Sequence, residues 1–125
     1  MFSNTAKKIH FNFKDQYTTE QRIQKSTHLM IKYPTYIPVI CEVFNNDKQL
    51  VLDKTRYITP GSITVGQFLY TIRKRIKLDA SSALFVFTES TTIPSTGQLM
   101  SELHAEHKSD CNFLYLKVSK QSTFG

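Results

Sequence analysis

Two histidines spaced three residues apart are the first group in the sequence that could do chemistry. On a helix, His104 and His107 would share one face, with Glu106 and Asp110 close by. Imidazole and carboxylate groups arranged in this way can hold a divalent metal. No HExxH or CxxC pattern accompanies them. Because polar helix faces are far commoner than metal sites, we expect no metal and no cofactor.

The two cysteines form a second candidate group. Cys111 paired with a histidine could act as a nucleophile, but its polar turn sequence, Ser109–Asn112, has no distinctive flanking residues. Cys41 lies in an apolar run and is expected in the core. These unlike settings argue against a disulfide and favour a reducing compartment. The sequence also lacks a Gly-rich phosphate loop, so we expect a binding module rather than an enzyme.

The net charge of +6 and the pI near 9.4 favour acidic partners, whether nucleic acid, acidic peptides or anionic lipid headgroups. Arg73-Lys74-Arg75 and Lys77 could contact phosphates, but charge alone gives salt-dependent affinity without sequence preference. No signal-peptide pattern and no apolar run of about 20 residues is present. Any membrane attachment is therefore expected through something other than a spanning helix.

The length of 125 residues fits a single domain. We expect a ubiquitin-like domain with its leading helix over residues 17–120. A flexible arm is expected before it, over residues 1–16, and a flexible tail after it, over residues 121–125. The aromatic side chains of Phe11 and Phe13 could nevertheless dock the arm.

Helix-capping signals predict three helices. A Thr-x-x-Gln capping box opens a helix expected over Thr18–Lys32, and a second box opens the central core helix over Thr64–Ile76. A third helix is expected within residues 95–108, capped by Ser95 with Gln98 at the third helical position, and burying Leu99 and Leu103.

Apolar or β-branched runs predict four strands: Ile37–Phe44; Leu50–Leu52 with Arg56–Thr59 as one interrupted strand; Leu84–Thr88; and Phe113–Val118, in which Phe113, Tyr115 and Lys117 should face one way and Leu114, Leu116 and Val118 the other. The first two flank the turn signal Asn45-Asn46-Asp47 and should form a hairpin. The order of helices and strands predicts an α+β fold of the β-grasp type, in which one mixed sheet is crossed by a helix.

Several stretches in these elements resemble a known family. They are Tyr33–Glu42, Leu52–Pro60, Thr64–Phe68, Ile72–Ile76 and the end Thr123–Gly125. Together they resemble the autophagy-related ubiquitin-like modifiers. This is the family of the GABA-A-receptor-associated protein and the microtubule-associated light chains, called autophagy-related protein eight in yeast.

The resemblance implies a ubiquitin-like β-grasp with an N-terminal helical extension. It also implies a modifier whose terminal glycine, here Gly125, is activated by E1-like and E2-like enzymes and joined to phosphatidylethanolamine. Thr123 and Phe124 would serve in tail recognition, and a deconjugating cysteine protease would be a further partner. The implied location is cytoplasmic, then autophagosomal once lipidated, and the unconjugated chain would be a monomer. A non-autophagic organelle-membrane modifier and a basic nucleic-acid-binding domain stay open as alternatives.

The resemblance further implies that receptors with an acidic aromatic-x-x-aliphatic motif add to the edge strand Arg56–Thr59 by β-augmentation. The first pocket, for the aromatic residue, would be formed by Leu29, Pro38, Ile40, Arg56, Ile58 and Phe113. The second pocket, for the aliphatic residue, would be formed by Tyr57, Thr59, Pro60, Ile63, Phe68 and Thr71. Lys54, Arg56 and Arg75 would meet the acidic residues of the motif.

Three positions depart from the family pattern. Thr59 and Thr71 stand where the family usually has aliphatic residues, and Tyr36 stands where it usually has arginine. A hydroxyl weakens apolar capture. We therefore expect a second pocket that is shallow or that selects a different residue.

Overall fold

The structure is a computed structural model that describes residues 9–44, 50–107 and 111–121. Its elements in chain order are α1 Asn12–Gln16, α2 Thr19–Lys32, β1 Tyr36–Val43, β2 Arg56–Pro60, α3 Val65–Ile76, β3 Phe85–Thr88, α4 Met100–His107 and β4 Leu114–Ser119. The predicted turn at residues 45–47 and the tail residues Thr123, Phe124 and Gly125 lie outside the described residues. No helix within those residues is both long and apolar enough to cross a membrane.

The four strands form one mixed sheet in the order β2-β1-β4-β3. β1 pairs antiparallel with β2 and parallel with β4, and β3 pairs antiparallel with β4. Pro38 is tolerated inside β1 because pairing with β4 begins only at Val39. The antiparallel pairing of the predicted hairpin, the mixed sheet and the ubiquitin-like β-grasp are confirmed, whereas Leu50–Leu52 lies outside any strand and its prediction as part of β2 was wrong.

Helix α3 covers one face of the sheet. Its capping box is complete, since the Gln67 N–H donates to Thr64 Oγ1 at 3.1 Å and the Thr64 N–H donates to Gln67 Oε1 at 2.8 Å. The buried face of α3 packs against the apolar side chains of β1 and β4 in the larger core cluster. The predicted central helix is confirmed.

Strand β4 is buried on both faces, which explains its run of large side chains. Leu114, Leu116 and Val118 belong to the α3 side of the sheet, as the period of two predicts. Phe113 and Tyr115 belong to a second cluster on the opposite side, together with Ile40, Phe11 and Phe13. We call this second group the aromatic cluster.

The N-terminal segment, residues 9–17, is folded against the sheet. Phe11 and Phe13 are only 1% and 3% exposed. The N–H groups of Asn12 and Phe13 each donate to the Glu42 carboxylate at 2.9 Å, and Lys14 forms an ion pair with Glu89. The expectation of a flexible arm therefore does not hold for residues 9–16, because aromatic burial and two carboxylates hold that part in place.

The start of α4 differs from the sequence prediction. The helix begins at Met100, and the Leu99 N–H is capped by Glu102 Oε1 at 3.0 Å, whereas Ser95 belongs to a preceding turn. The carbonyls of Thr96 and Gln98 accept the N–H groups that open α3. The predictions that Ser95 caps this helix and that Leu99 is buried were therefore wrong. The residues after Ser95 bond to the N-terminus of α3 instead, and Leu99 is 36% exposed.

Candidate functional site

Strand β2 forms one edge of the sheet and pairs only with β1 among the described residues. The Cys41 N–H donates to the Thr55 carbonyl at 2.8 Å. Because hydrogen bonding alternates along an antiparallel pair, Tyr57 and Thr59 also direct their backbone groups toward β1. Arg56 and Ile58 therefore direct their N–H and C=O groups away from the sheet. An extended peptide could pair with this open edge.

The first predicted pocket lies on the side of the sheet covered by α1 and α2. Pro38 is opposite Ile58 and Ile40 is opposite Arg56, so the four side chains share one face. Ile40 and Phe113 are buried in the aromatic cluster, and Leu29 packs against it. Ile58 is half-buried and Arg56 is exposed. The structure thus brings this predicted set together, with Pro38 buried beside Ile40 and Phe113, and with Leu29, Ile58 and Arg56 more open to solvent.

The second predicted pocket lies on the opposite side of β2, toward α3. The rings of Tyr57 and Phe68 meet edge to face with centroids 5.7 Å apart. Thr59 lies two residues along the same face of β2 from Tyr57 and is buried. The Ile63 N–H donates to the Pro60 carbonyl at 3.4 Å, which ties the turn after β2 to this side.

Thr71 is the outermost member of the second set. It is exposed on α3, and its hydroxyl donates to the Gln67 carbonyl at 3.3 Å. It lies one helical turn beyond Phe68. The structure therefore places Thr71 at the rim and Phe68 deep in the core.

Basic side chains gather on the Tyr57 side of the edge strand. The Lys54 ammonium lies 5.1 Å from the centroid of the Tyr57 ring, and Arg75 donates to Asp53 Oδ1 at 3.1 Å. Burial, more than any nearby charge, raises the pKa of Tyr57 to about 12, so the phenol stays neutral and donates to the Lys54 carbonyl at 2.8 Å. Asp53 offsets part of the positive charge of Arg75.

A cavity of about 350 Å³ lies elsewhere, between α1, the end of β1 and residues 50–55. Its lining includes Phe13, Glu42 and Leu52, and it contains no member of either predicted pocket. A surface groove beside an edge strand need not be enclosed, so this separate cavity does not argue against either predicted pocket. The two pockets stay predictions.

Comparisons with known proteins identify the family of this chain. Residues 21–125 match the family described as "Autophagy protein Atg8 ubiquitin like". The chain is 45% identical to Autophagy-related protein 8 of Schizosaccharomyces pombe over 113 residues, which cover 90% of this chain and 93% of that protein. The chain belongs to the Atg8 family.

Further relatives agree with this assignment to the Atg8 family. The Coccidioides immitis Autophagy-related protein 8 is 43% identical over 113 residues, covering 90% of this chain and 96% of that protein. The crystal structure of Trypanosoma brucei ATG8 is 34% identical and superposes with a TM-score of 0.85, covering 94% of this chain and all of that one. Family and fold together identify an autophagy ubiquitin-like protein.

The structure of this Atg8-family chain gives little support to the metal site considered at His104 and His107. The two histidines have different partners, since the buried His104 has its Nε2 2.8 Å from the Asn112 carbonyl and the half-buried His107 lies 3.8 Å from Glu106. Asp110 lies outside the described residues. Within those residues, no group of three or more metal-ligating side chains occurs.

Both cysteines are free thiols and both are buried. Burial is the main reason that the pKa of the Cys41 thiol is raised to about 12, which suits the predicted core role. Cys111 lies in a turn, as predicted, but it is 1% exposed within the aromatic cluster, so the expectation that its setting differs from that of the buried Cys41 was wrong. The sequence signal was misleading because the polar neighbours of Cys111 say nothing about the distant aromatic residues that cover it.

The basic run at the end of α3 is largely used within the chain. The Arg73 guanidinium donates to the carbonyls of Ser82 and Asp79 at 2.9 and 3.2 Å, and Arg75 pairs with Asp53. Lys74 lies over the Tyr70 ring at 4.5 Å. These contacts favour a structural role for the run over binding of a nucleic-acid backbone.

Sequence reasoning missed the importance of one buried ion pair. Lys117 Nζ lies 3.3 Å from Glu42 Oε1, and both side chains are almost fully buried. In the sequence, Glu42 ends a stretch that resembles the family, and Lys117 lies in the predicted strand Phe113–Val118. A lysine within an otherwise apolar strand was the available signal, because such a residue must find a partner when buried.

Proposed function

We propose that this chain is a ubiquitin-like modifier joined through Gly125 to phosphatidylethanolamine, and that it acts in autophagosome formation by recruiting receptors with aromatic-x-x-aliphatic motifs. One observation carries the receptor part of the proposal. The two predicted anchor sets lie on opposite faces of an open edge strand.

The spacing of the motif fits this arrangement. In an extended peptide, side chains alternate between faces, so residues three apart point in opposite directions and lie about 10 Å apart along the strand. A peptide paired with Arg56 and Ile58 would send its aromatic residue to the aromatic-cluster side. Its aliphatic residue would then meet the Tyr57 and Thr59 side.

Charge supports an acidic receptor segment. Arg56 is exposed on one side of β2, and Lys54 and Arg75 lie on the other. Acidic residues before or within the motif would therefore find a cation on either face. Such contacts chiefly increase the rate of association and set specificity, since exposed pairs contribute little to affinity.

A peptide of the type acidic-Trp-x-x-Leu should bind with an affinity on the order of micromolar. The chain contains no tryptophan. The fluorescence of the peptide's own indole therefore reports binding when protein is titrated into it. The same peptide with Trp→Ala, carrying a separate dye, is the control and should bind at least about tenfold more weakly. Absence of binding at high micromolar concentrations of folded protein would refute receptor recognition.

Deletion of Gly125 should prevent conjugation to phosphatidylethanolamine in a reconstitution with cognate E1-like and E2-like enzymes. Glycine has no Cβ, so its carboxylate can enter a narrow channel in a partner enzyme. A gel shift on liposomes containing phosphatidylethanolamine measures the product, and the full chain is the matched control. A thermal melt should be unchanged by the deletion. Conjugation of the shortened chain at the normal rate would rule out Gly125 as the attachment point.

In this proposal the chain resides in the cytoplasm until conjugation places it on the membrane. Thr123 and Phe124 would lead Gly125 into the activating enzymes, and a deconjugating cysteine protease would release the chain from the lipid. The catalytic cysteines belong to these partners, which agrees with the burial of both thiols here.

A further inference from the structure

The cavity between α1, the end of β1 and residues 50–55 has a buried floor and an exposed rim. Phe13, Glu42 and Leu50 line it and are buried, whereas Gln16 and Val51 line it and are exposed. Val51 is 72% exposed, although it is one of the more apolar residues of the chain. A volume of about 350 Å³ is small for a ligand pocket, so the cavity suits one large side chain better than a whole small molecule.

The cavity lies in line with the first predicted pocket. Ile40 is opposite Arg56 and belongs to the aromatic cluster. Glu42 is two residues further along β1, so its side chain is on the same side of the sheet, about 7 Å beyond the level of Arg56. Thr55, the residue just before β2, is also part of the lining. The cavity is therefore next to the place where the open edge strand begins.

The order of the two pockets along β2 gives the direction of a bound receptor peptide. Arg56 and Ile58 belong to the first pocket, and Thr59 and Pro60, further along β2, belong to the second. Because the aromatic residue precedes the aliphatic one in the motif, the peptide would run in the same direction as β2. The second residue before the aromatic would then point to the same side, about 7 Å back toward Thr55. That position faces the cavity.

The charges around the cavity favour an apolar side chain at that position. Glu42 is the one charged residue among the described residues that line the cavity. Its carboxylate is already used, since it accepts two backbone N–H groups of α1 and pairs with Lys117. The described lining therefore offers no cation to an acidic side chain, whereas Val43 and Leu52 add apolar surface to that of the floor.

We infer that this cavity is a third receptor subsite, which takes a large apolar side chain such as leucine from the second residue before the aromatic of the motif. The inference rests on the proposed receptor binding and deepens it. A side chain seated there would cover Val51 and would add an apolar contact on the α1 side of the edge strand.

Three peptides test the inference. Each contains acidic-x-x-Trp-x-x-Leu, and they differ only in having leucine, alanine or aspartate two residues before the tryptophan. They are titrated with the full chain by tryptophan fluorescence. The leucine peptide should bind about 3- to 10-fold more tightly than the alanine peptide, as partial burial of one such side chain allows. Affinities for these two within twofold of each other, or tighter binding of the aspartate peptide than of the leucine peptide, would overturn the inference.

Val51→Asp assigns the preference to the cavity. It replaces an apolar rim residue by a charge and should reduce the preference for leucine over alanine to below about twofold. Its thermal melt should match that of the wild type, because Val51 is largely exposed. Ile93→Asp is the matched control, since Ile93 is 50% exposed in the loop after β3, at the opposite edge of the sheet. It should keep the full preference. A preference that persists in Val51→Asp, or that falls equally in Ile93→Asp, would also overturn the inference.

The alanine peptide separates this inference from the proposal beneath it. If that peptide binds the wild-type chain at micromolar concentrations and leucine adds nothing, only the third subsite is refuted. If none of the three peptides binds folded wild-type protein, both the proposed receptor function and the inference are refuted.

Discussion

Replacing Glu42 by alanine should lower the free energy of unfolding by about 3–5 kcal/mol, the usual effect of removing one partner of a buried ion pair. The Lys117 ammonium lies 3.3 Å from Glu42 Oε1, and its side chain is 2% exposed. Without Glu42, this charge would keep, among the described residues, the faces of Phe11 and Phe44, whose ring centroids lie 5.0 and 5.9 Å away. Two aromatic faces do not replace a carboxylate for a desolvated ammonium.

Glu42 also holds the N-terminal segment in place. Its two carboxylate oxygens accept the N–H groups of Asn12 and Phe13, both at 2.9 Å. Lys117→Met should therefore cost less than Glu42→Ala, because the carboxylate would keep two backbone donors after the lysine is lost. The two single variants are thus expected to differ, although they break the same ion pair.

Urea unfolding of the wild type and the variants measures these differences. The double variant Glu42→Gln with Lys117→Met is the control, since it removes both charges while keeping an acceptor for one backbone N–H. It should recover part of the stability lost in Glu42→Ala. Stability of Glu42→Ala within 1 kcal/mol of the wild type would contradict the buried-pair argument.

The ion pair matters for the candidate site because the N-terminal segment covers the side of the sheet that contains the first pocket. Phe13 contacts Phe113 with ring centroids 5.2 Å apart, and Phe113 is a predicted floor residue of that pocket. Loss of Glu42 should therefore loosen the pocket as well as the segment. Through these ring contacts, the stability of residues 9–17 should affect the proposed receptor binding.

Local signals allowed much of the fold to be predicted from the sequence. Both capping boxes formed as expected, because their hydrogen bonds join residues three apart. The alternation along β4 also predicted correctly which residues face α3 and which face the aromatic cluster. In each case, the information lies within a few residues of the feature.

The features that the sequence did not reveal depend on distant partners. The N-terminal segment is fixed by Glu42 and Glu89, which lie about 30 and 75 residues away along the chain. Ser95 is a good cap in isolation, but the following residues are used to close the start of α3. The residues around β2 could be assigned to the two pockets only through the family resemblance. The shape of each pocket depends on side-chain packing, which no local sequence pattern encodes.

Ile58→Arg should weaken binding of the acidic-Trp-x-x-Leu peptide by about 100-fold, a loss typical of a central anchor. Ile58 lies opposite Pro38 on the face that would receive the peptide's tryptophan, and it is only half-buried in the free chain. A long charged side chain there would fill the space above Ile40 and Phe113. Seating the indole would then require burial of an unpaired guanidinium.

The fold should survive the Ile58→Arg substitution, because β2 is an edge strand and a charged residue is well tolerated there. Ile93→Arg is the matched control, since Ile93 is 50% exposed in the loop after β3, the opposite edge of the sheet. It adds the same charge and should leave the affinity within about twofold of the wild type. Equal affinities for Ile58→Arg and the wild type, with both chains folded, would place the receptor site away from β2. Equal losses of peptide affinity in both variants would instead assign the effect to net charge, because a binding site at β2 should respond to the change at Ile58 and not to the change at Ile93.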